Sequence, residues 1–165
     1  MRNPNPNFRN NTSTEKSFKS LRSLSYILDS AIPIPGTNYR IGLDPILGLV
    51  PAAGDYLAAA FSAYIVIQAA QMGASNGTLF SMVFNIIIDT LVGTVPMLGD
   101  LFDFAWKANT KNIALLETHL DSAGTNKKAN WGFVVLLLGV LLLVIIGITT
   151  VSLFLLGLLI KFITG

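Results

Sequence analysis

The hydrophobic pattern along the chain predicts an all-α protein. Five stretches have helical spacing or are apolar all round: residues 15–31, 56–72, 79–95, 101–120 and 131–163. In the first stretch, apolar residues from Phe18 to Leu28 recur at helical spacing, with Lys16, Lys19 and Arg22 on another face. The second and third stretches are apolar almost all round, whereas the fourth is amphipathic. Prolines and a glycine within residues 32–40 end the first helix.

The last stretch is predicted to be a transmembrane helix. No charged residue lies between Trp131 and Ile160, and one membrane span needs roughly 20 apolar residues. Lys127 and Lys128 precede this stretch and Lys161 follows it, while Trp131 takes the place of an interfacial aromatic residue. Because lysines favour the cytoplasmic side, residues 1–130 are expected in the cytoplasm or its equivalent.

Three segments are predicted from the composition. Residues 1–14 are rich in asparagine and proline and lack the apolar run of a signal peptide, so they are expected to be a disordered leader. Residues 15–130 are predicted to form a helical repeat domain that is membrane-associated or partly embedded. Residues 131–163 form the transmembrane helix.

A repeated motif occupies the middle of the chain. Residues 44–55 (DPILGLVPAAGD) and 89–100 (DTLVGTVPMLGD) share the pattern Asp-x3-Gly-x2-Pro-x2-Gly-Asp at an offset of 45 residues. The fixed positions are Asp44, Gly48, Pro51, Gly54 and Asp55, then Asp89, Gly93, Pro96, Gly99 and Asp100. Repetition at such a period indicates duplicated supersecondary units. Since Gly and Pro turn the chain and Asp favours helix N-termini, each copy is predicted to be a helix-turn-helix unit.

The aspartates of the repeat are the candidate functional residues. No lysine, arginine or histidine lies between Arg40 and Lys107, although this interval contains Asp44, Asp55, Asp89, Asp100 and Asp103. An unpaired buried carboxylate is costly, so each must cap a helix, take up a proton, bind a cation or reach water. Helix capping accounts for Asp44, Asp55 and Asp100. The alternative is a cation or proton site built from the two repeats, with oxygen ligands suited to Ca²⁺, Mg²⁺ or Na⁺. Its residues would be Asp44, Asp55, Asp89 and Asp100, with Asn85 beside them.

Composition narrows the classes of function. Only 12% of the residues are charged, against about 25% in ordinary soluble domains. There is no cysteine, and the single histidine, His119, excludes a multi-histidine metal site. The net charge of +2 gives no reason to expect a nucleic-acid partner. An aspartyl hydrolase is disfavoured because Ala52 and Met97 replace the first glycine of its Gly-x-Gly-Asp pattern. No catalytic or cofactor motif is present, so neither an enzyme nor a cofactor is expected.

Two runs of the sequence resemble a known family. They are LDSAIPIPGTNYRIGLDPILGLVPAAGD and DTLVGTVPMLGDLFDFAWKANTKN, the second ending in Lys107-x-Asn109-x2-Asn112. The resemblance is to proteins catalogued as domain of unknown function 4112 and covers about residues 24–120. It implies a membrane-associated family, mainly bacterial with fungal members, and therefore a bacterial inner or other internal membrane. It implies no activity, so no catalytic residue is carried over.

Two functions are consistent with these features. The first is a non-enzymatic accessory or scaffold subunit that contacts the lipid bilayer and associates with itself or with a larger membrane complex. The second is a small ion or proton transporter or channel built from the two Asp-containing repeats, because acids within membranes are often functional.

Overall fold

Helices dominate the computed structural model, which describes residues 12–37, 40–43, 53–93, 106–123 and 130–165. These residues form α1 (Thr12–Ser30), β1 (Ile32–Pro33), β2 (Arg40–Ile41), α2 (Ala53–Gln71), α3 (Asn76–Gly93), α4 (Ala108–Ala123) and α5 (Trp131–Thr164). The prediction of an all-α protein with one long apolar helix at its end is confirmed. Four of the five helices begin and end within three residues of their predicted bounds.

The exception is the helix predicted over residues 101–120. Within the described residues, α4 begins only at Ala108, because Lys107 has a positive φ of 48° that no right-handed helix accommodates. The helix also continues to Ala123, three residues beyond its predicted end. Trp106, before this break, is helical, and residues 101–105 lie outside the described residues, so the predicted helix is interrupted at Lys107.

The predicted break after α1 is a short antiparallel ribbon. Ile32 pairs with Ile41 and Pro33 with Arg40. The chain turns through Gly36, which has a φ of 77°. Beyond the ribbon, Gly42 lies so close to α1 that a Cβ atom there would overlap the carbonyl of Leu28. Glycine is therefore required at this position for the ribbon to lie against the end of α1.

The core lies where α2, α3 and α4 meet, with α1 on one side and the first half of α5 on the other. The largest fully buried side chains are Leu28, Ile65, Val66, Leu79, Met82, Asn109, Asn112, Leu116, Leu120 and Val134. Every helix contributes at least one of them. Two are asparagines, and a buried amide needs hydrogen-bond partners.

Helix α5 has two parts with different surroundings. In the first part, Val134, Leu137, Leu141 and Ile145 form a buried stripe against the other helices. Residues 151–165 are exposed on all sides. Asn130 caps the start of the helix, because its side chain accepts a hydrogen bond from the amide of Phe133 at 3.2 Å. Among the described residues, α5 is the one helix long and apolar enough to cross a membrane.

Candidate functional site

Most residues of the predicted aspartate site fall outside what the structure describes. This applies to Asp44, Gly48, Pro51, Pro96, Gly99 and Asp100. Gly54 and Asp55 lie in the first turn of α2, and Gly93 ends α3. The side chain of Asp55 is outside the described part. The duplicated helix-turn-helix unit and the shared cation or proton site therefore remain predictions. Asn85 and Asp89, both on α3, are described with their side chains.

Asn85 joins α3 to α4. Its side-chain amide donates a hydrogen bond to Oδ1 of Asn112 at 2.9 Å, and the amide of Asn112 donates to the carbonyl of Met82 at 3.1 Å. The indole Nε1 of Trp106 donates to the backbone carbonyl of Asn85 at 3.3 Å. Since Asn112 is fully buried, these bonds satisfy its amide inside the core. The side chain of Asn85 therefore holds α3 against α4 through its hydrogen bond to Asn112.

Asp89 lies one turn after Asn85 and is half-buried. Its charge acts on Lys111 of α4, where partial burial lowers the pKa of the ammonium group and Asp89 opposes that shift. The Lys111 ammonium lies 3.0 Å from the centroid of the Trp106 ring, a cation–π contact. Asp89, the one aspartate of the predicted site whose side chain is described, therefore interacts electrostatically with a cation from outside the repeat.

The most buried acid of the described residues is Asp29, at the end of α1, and it was not predicted as a site residue. The Asp29 side chain is largely inaccessible, with a relative exposure of 7%. Its Oδ1 accepts a hydrogen bond from the amide of Asn109 at 2.9 Å, and its Oδ2 accepts one from the backbone N–H of Thr110 at 2.6 Å. Thr110 lies in the first turn of α4. Asp29 therefore caps α4 from a helix 81 residues earlier in the chain.

Basic residues cap the end of α1 in return. Nε of Arg40 donates to the carbonyl of Ser30 at 2.9 Å, and a second guanidinium nitrogen donates to the carbonyl of Ala31 at 3.3 Å. The ammonium of Lys107 donates to the hydroxyl of Ser30 at 2.9 Å. Cations at a helix C-terminus satisfy its last carbonyls and favour its dipole. We call Asp29, Ser30, Arg40, Lys107, Asn109 and Thr110 the polar clasp.

The carboxyl group of Asp29 is under opposing influences. Burial, the largest effect, raises its pKa, whereas the hydrogen bonds from Asn109 and Thr110 and the charge of Lys107 lower it. Burial prevails, so the pKa of Asp29 lies above its ordinary value of 3.8. The native state thus binds a proton at Asp29 more readily than the unfolded chain does.

The single histidine joins α4 to the turn between α2 and α3. Nε2 of His119 lies 3.1 Å from the carbonyl of Gly73, and its Nδ1 lies 3.5 Å from the hydroxyl of Thr78. Thr78 in turn lies 2.9 Å from the hydroxyl of Ser75. Because a carbonyl only accepts, Nε2 donates in its contact with Gly73. Within the described residues, no three acidic or histidine side chains converge on a common position.

The residues of the polar clasp lie in the two runs of sequence that carry the family resemblance. Asp29 and Ser30 open the first of the two runs that carry the family resemblance, and Lys107 and Asn109 close the second. Apart from Arg40 and Lys107 themselves, the residues of the polar clasp lie outside the interval between Arg40 and Lys107 that contains the predicted aspartates. In the structure the start of the first run contacts the end of the second. Only the two runs taken together could have indicated this cluster.

These features define a small helical protein whose first and fourth helices are joined by a polar clasp and whose fifth is a long apolar helix. The chain belongs to the family described as Domain of unknown function (DUF4112), whose model matches residues 17–120. The predicted resemblance is confirmed. The match contains the polar clasp and ends near the end of α4, so α5 lies outside it. No curated protein and no solved structure matches the chain.

Proposed function

We propose that the chain is a non-enzymatic membrane protein, an accessory or scaffold subunit of a membrane complex. In this proposal α2, α3 and α5 face lipid, and α1 and α4 face water. The supporting observation is the unequal distribution of exposed apolar and charged side chains over the five helices.

Helix α5 presents an apolar surface that the other helices do not cover. In its first half, the face opposite the buried stripe is exposed, with Val135 at 66% and Leu143 at 70%. Beyond Thr150 every residue is exposed, including Phe154 and Phe162. Apolar surface of this extent is unfavourable in water by about 25 cal/mol per Å². Contiguous patches of this kind mark lipid contact or protein interfaces.

Helices α2 and α3 continue this apolar surface. Both pack against the first half of α5, so they lie at the same depth as that half. Their exposed large apolar residues are Tyr56, Leu57, Phe61 and Tyr64 on α2, and Phe80, Phe84 and Leu91 on α3. No charged residue occurs from Tyr56 to Ile88. The outer faces of these two helices are thus suited to lipid rather than to water.

Helices α1 and α4 have the opposite character. Lys19 of α1 pairs with Glu15 at 2.6 Å, and Arg22 lies 3.7 Å from Glu117 of α4. These ion pairs are partly or largely exposed, and such pairs contribute little to stability but require a polar environment. The two charged helices therefore define the side of the domain that faces water.

The length of α5 agrees with a position across the bilayer. Its 34 residues correspond to about 51 Å at 1.5 Å per residue. Its uncharged part, from Trp131 to Ile160, is about 45 Å long, close to the roughly 40–45 Å of a bilayer that includes the headgroup regions. The packed half of α5, and α2 and α3 beside it, then lie within the bilayer. The cytoplasmic position of residues 1–130 remains a prediction.

The scaffold role is supported by what the polar groups do. The polar clasp and the pair Asn85–Asn112 bond helices to one another, and none of these contacts needs a substrate. Ion transport through the repeats remains the alternative prediction. Its residue Asn85 is bonded to α4, and Asp89 acts on Lys111.

Alkaline washing of membranes tests this placement. The chain is expected to stay in the washed membranes as an integral protein does. Leu143→Arg combined with Ile146→Arg should release it, because both positions are exposed near the middle of the uncharged run and each arginine near a span centre costs about 2.5–3.5 kcal/mol of insertion free energy. The matched control is Ser122→Arg, on the exposed face of α4, which should be retained. Release of the unaltered chain by the wash would contradict a membrane-spanning α5.

A further inference from the structure

An open groove of about 500 Å³ lies between α3 and α4. It is lined by α3 from Phe80 to Asn85 and by α4 from Lys111 to Thr118. Its volume is within the range of roughly 300–1,000 Å³ that small-molecule sites occupy. In the proposed placement α3 faces lipid and α4 faces water. The groove then runs along the boundary between the two environments.

One wall of the groove is aromatic. The rings of Phe80 and Phe84 stack with their centroids 6.3 Å apart and their planes 12° from parallel. Both rings remain more than half exposed, at 57% and 51%. Leu115, which is partly buried against the core, lies across from them. This wall suits an extended hydrocarbon chain, because it is apolar and continuous over one turn of α3.

The other part of the groove is polar and has one positive charge. The hydroxyls of Ser81 and Thr118 donate to backbone carbonyls of their own helices, at 3.0 Å and 2.9 Å. Lys111 is the one charged residue among those that line the groove. Its ammonium is held over the Trp106 ring, and lysine stems keep their apolar part along such surfaces while the charge reaches a polar region.

We propose that this groove binds one anionic phospholipid of the bilayer. The phosphate lies at Lys111, and an acyl chain lies across Phe80 and Phe84. The proposal rests on the membrane placement given above. Charge complementarity selects an anionic headgroup, and the exposed ring stack selects a lipid over a free phosphate ion. The groove's position between a lipid-facing and a water-facing helix matches the level at which headgroups lie.

The two tryptophans of the chain allow a direct test. In the variant Trp131→Phe, Trp106 beside the groove is the one remaining tryptophan. In the variant Trp106→Phe, the remaining tryptophan is Trp131 at the start of α5. Both full-length variants are reconstituted into vesicles of phosphatidylcholine and phosphatidylglycerol. In each preparation one of the two lipids carries brominated acyl chains, which quench nearby tryptophans. Circular dichroism verifies that each variant is folded.

Trp106 is expected to be quenched more by brominated phosphatidylglycerol than by brominated phosphatidylcholine at equal mole fraction. One lysine near a headgroup corresponds to about fivefold enrichment of the anionic lipid. Lys111→Gln should remove this preference, while Lys111→Arg should keep it. Trp131 should be quenched by both lipids, and Lys111→Gln should leave its quenching unchanged.

Two results would overturn the lipid site in distinguishable ways. If Trp131 is quenched but Trp106 shows no preference, or a preference that Lys111→Gln leaves unchanged, the groove binds no anionic lipid while the membrane placement stands. If neither lipid quenches Trp131, the membrane placement fails, and the lipid site fails with it.

Discussion

A chain that ends at Lys128 is expected to lose its fold, whereas a chain that ends at Thr150 is expected to keep it. The shorter chain lacks Val134, Leu137, Leu141 and Ile145, which are buried against the other helices. Burying one such side chain contributes about 1.5–3 kcal/mol. Four of them together are comparable with the roughly 5–15 kcal/mol that keeps a domain folded. The longer chain loses only residues 151–165, which are exposed throughout.

Amide hydrogen exchange in mild detergent measures this difference. The amides of α3 should be protected in the chain that ends at Thr150 to the same degree as in the full chain. In the chain that ends at Lys128 they should exchange rapidly, because the fold opens. Equal protection of α3 in all three chains would mean that the first half of α5 is not part of the core.

Replacing Asp29 is expected to destabilise the protein more than any other single carboxylate change in the described residues. In Asp29→Ala, the amide of Asn109 and the backbone N–H of Thr110 lose their acceptors. The free energy of unfolding should fall by about 3 kcal/mol or more, since each unsatisfied buried donor costs about 1–3 kcal/mol. Asp29→Asn should have a smaller effect, because one amide oxygen can still accept one of the two bonds. Thermal unfolding followed by circular dichroism gives these values.

The effect of Asp29→Asn should also depend on pH. The pKa of Asp29 is raised by burial, so between its ordinary pKa and the raised value the native state binds more protons than the unfolded state. The contribution of this group to stability is present below the ordinary carboxyl pKa and is lost as pH rises through the raised pKa. The asparagine side chain of the variant does not titrate, so the stability difference between the two proteins should narrow as pH rises.

Asp121→Asn is the matched control for this series. Asp121 lies in the last turn of α4, the helix whose first turn Asp29 caps. An acid at a helix C-terminus opposes the dipole, so its loss should change stability by only a few tenths of a kcal/mol. If Asp29→Asn unfolds at the same temperature as Asp121→Asn, the contact from Asp29 does not stabilise α4.

Much of the fold could be predicted because it follows from local patterns. Apolar residues at helical spacing located α1, and the uncharged run from Trp131 located α5. Pro33 and Pro35 placed the break after α1, where the structure has a ribbon and a turn at Gly36. The ribbon itself was not predicted, since strands of two residues are too short to show alternation. The break in the predicted helix at Lys107 was not predicted, because the first turn of α4 is capped by Asp29, which lies far away in sequence.

The candidate site was less predictable for the same reason. The sequence directed attention to acids within the repeat, and of these only Asp89 has a described side chain. The polar clasp joins residues 77 to 81 positions apart. No periodicity within either segment indicates such a contact. Asn85 was a candidate for a cation or proton site, whereas in the structure it bonds to Asn112, a residue of the family motif.

Cysteine accessibility tests the central claim, that α2 and α3 face lipid while α1 and α4 face water. The chain has no cysteine, so single cysteines can replace Leu57 or Phe84 on the first pair of helices and Ser20 or Ser122 on the second. All four positions are exposed on the protein surface. A membrane-impermeant maleimide is added to vesicles opened by freezing and thawing, so that both membrane surfaces are reached. Ser20→Cys and Ser122→Cys should be labelled at once, and Leu57→Cys and Phe84→Cys only after denaturation in detergent. Labelling of all four at the same rate in intact membranes would contradict the proposed placement.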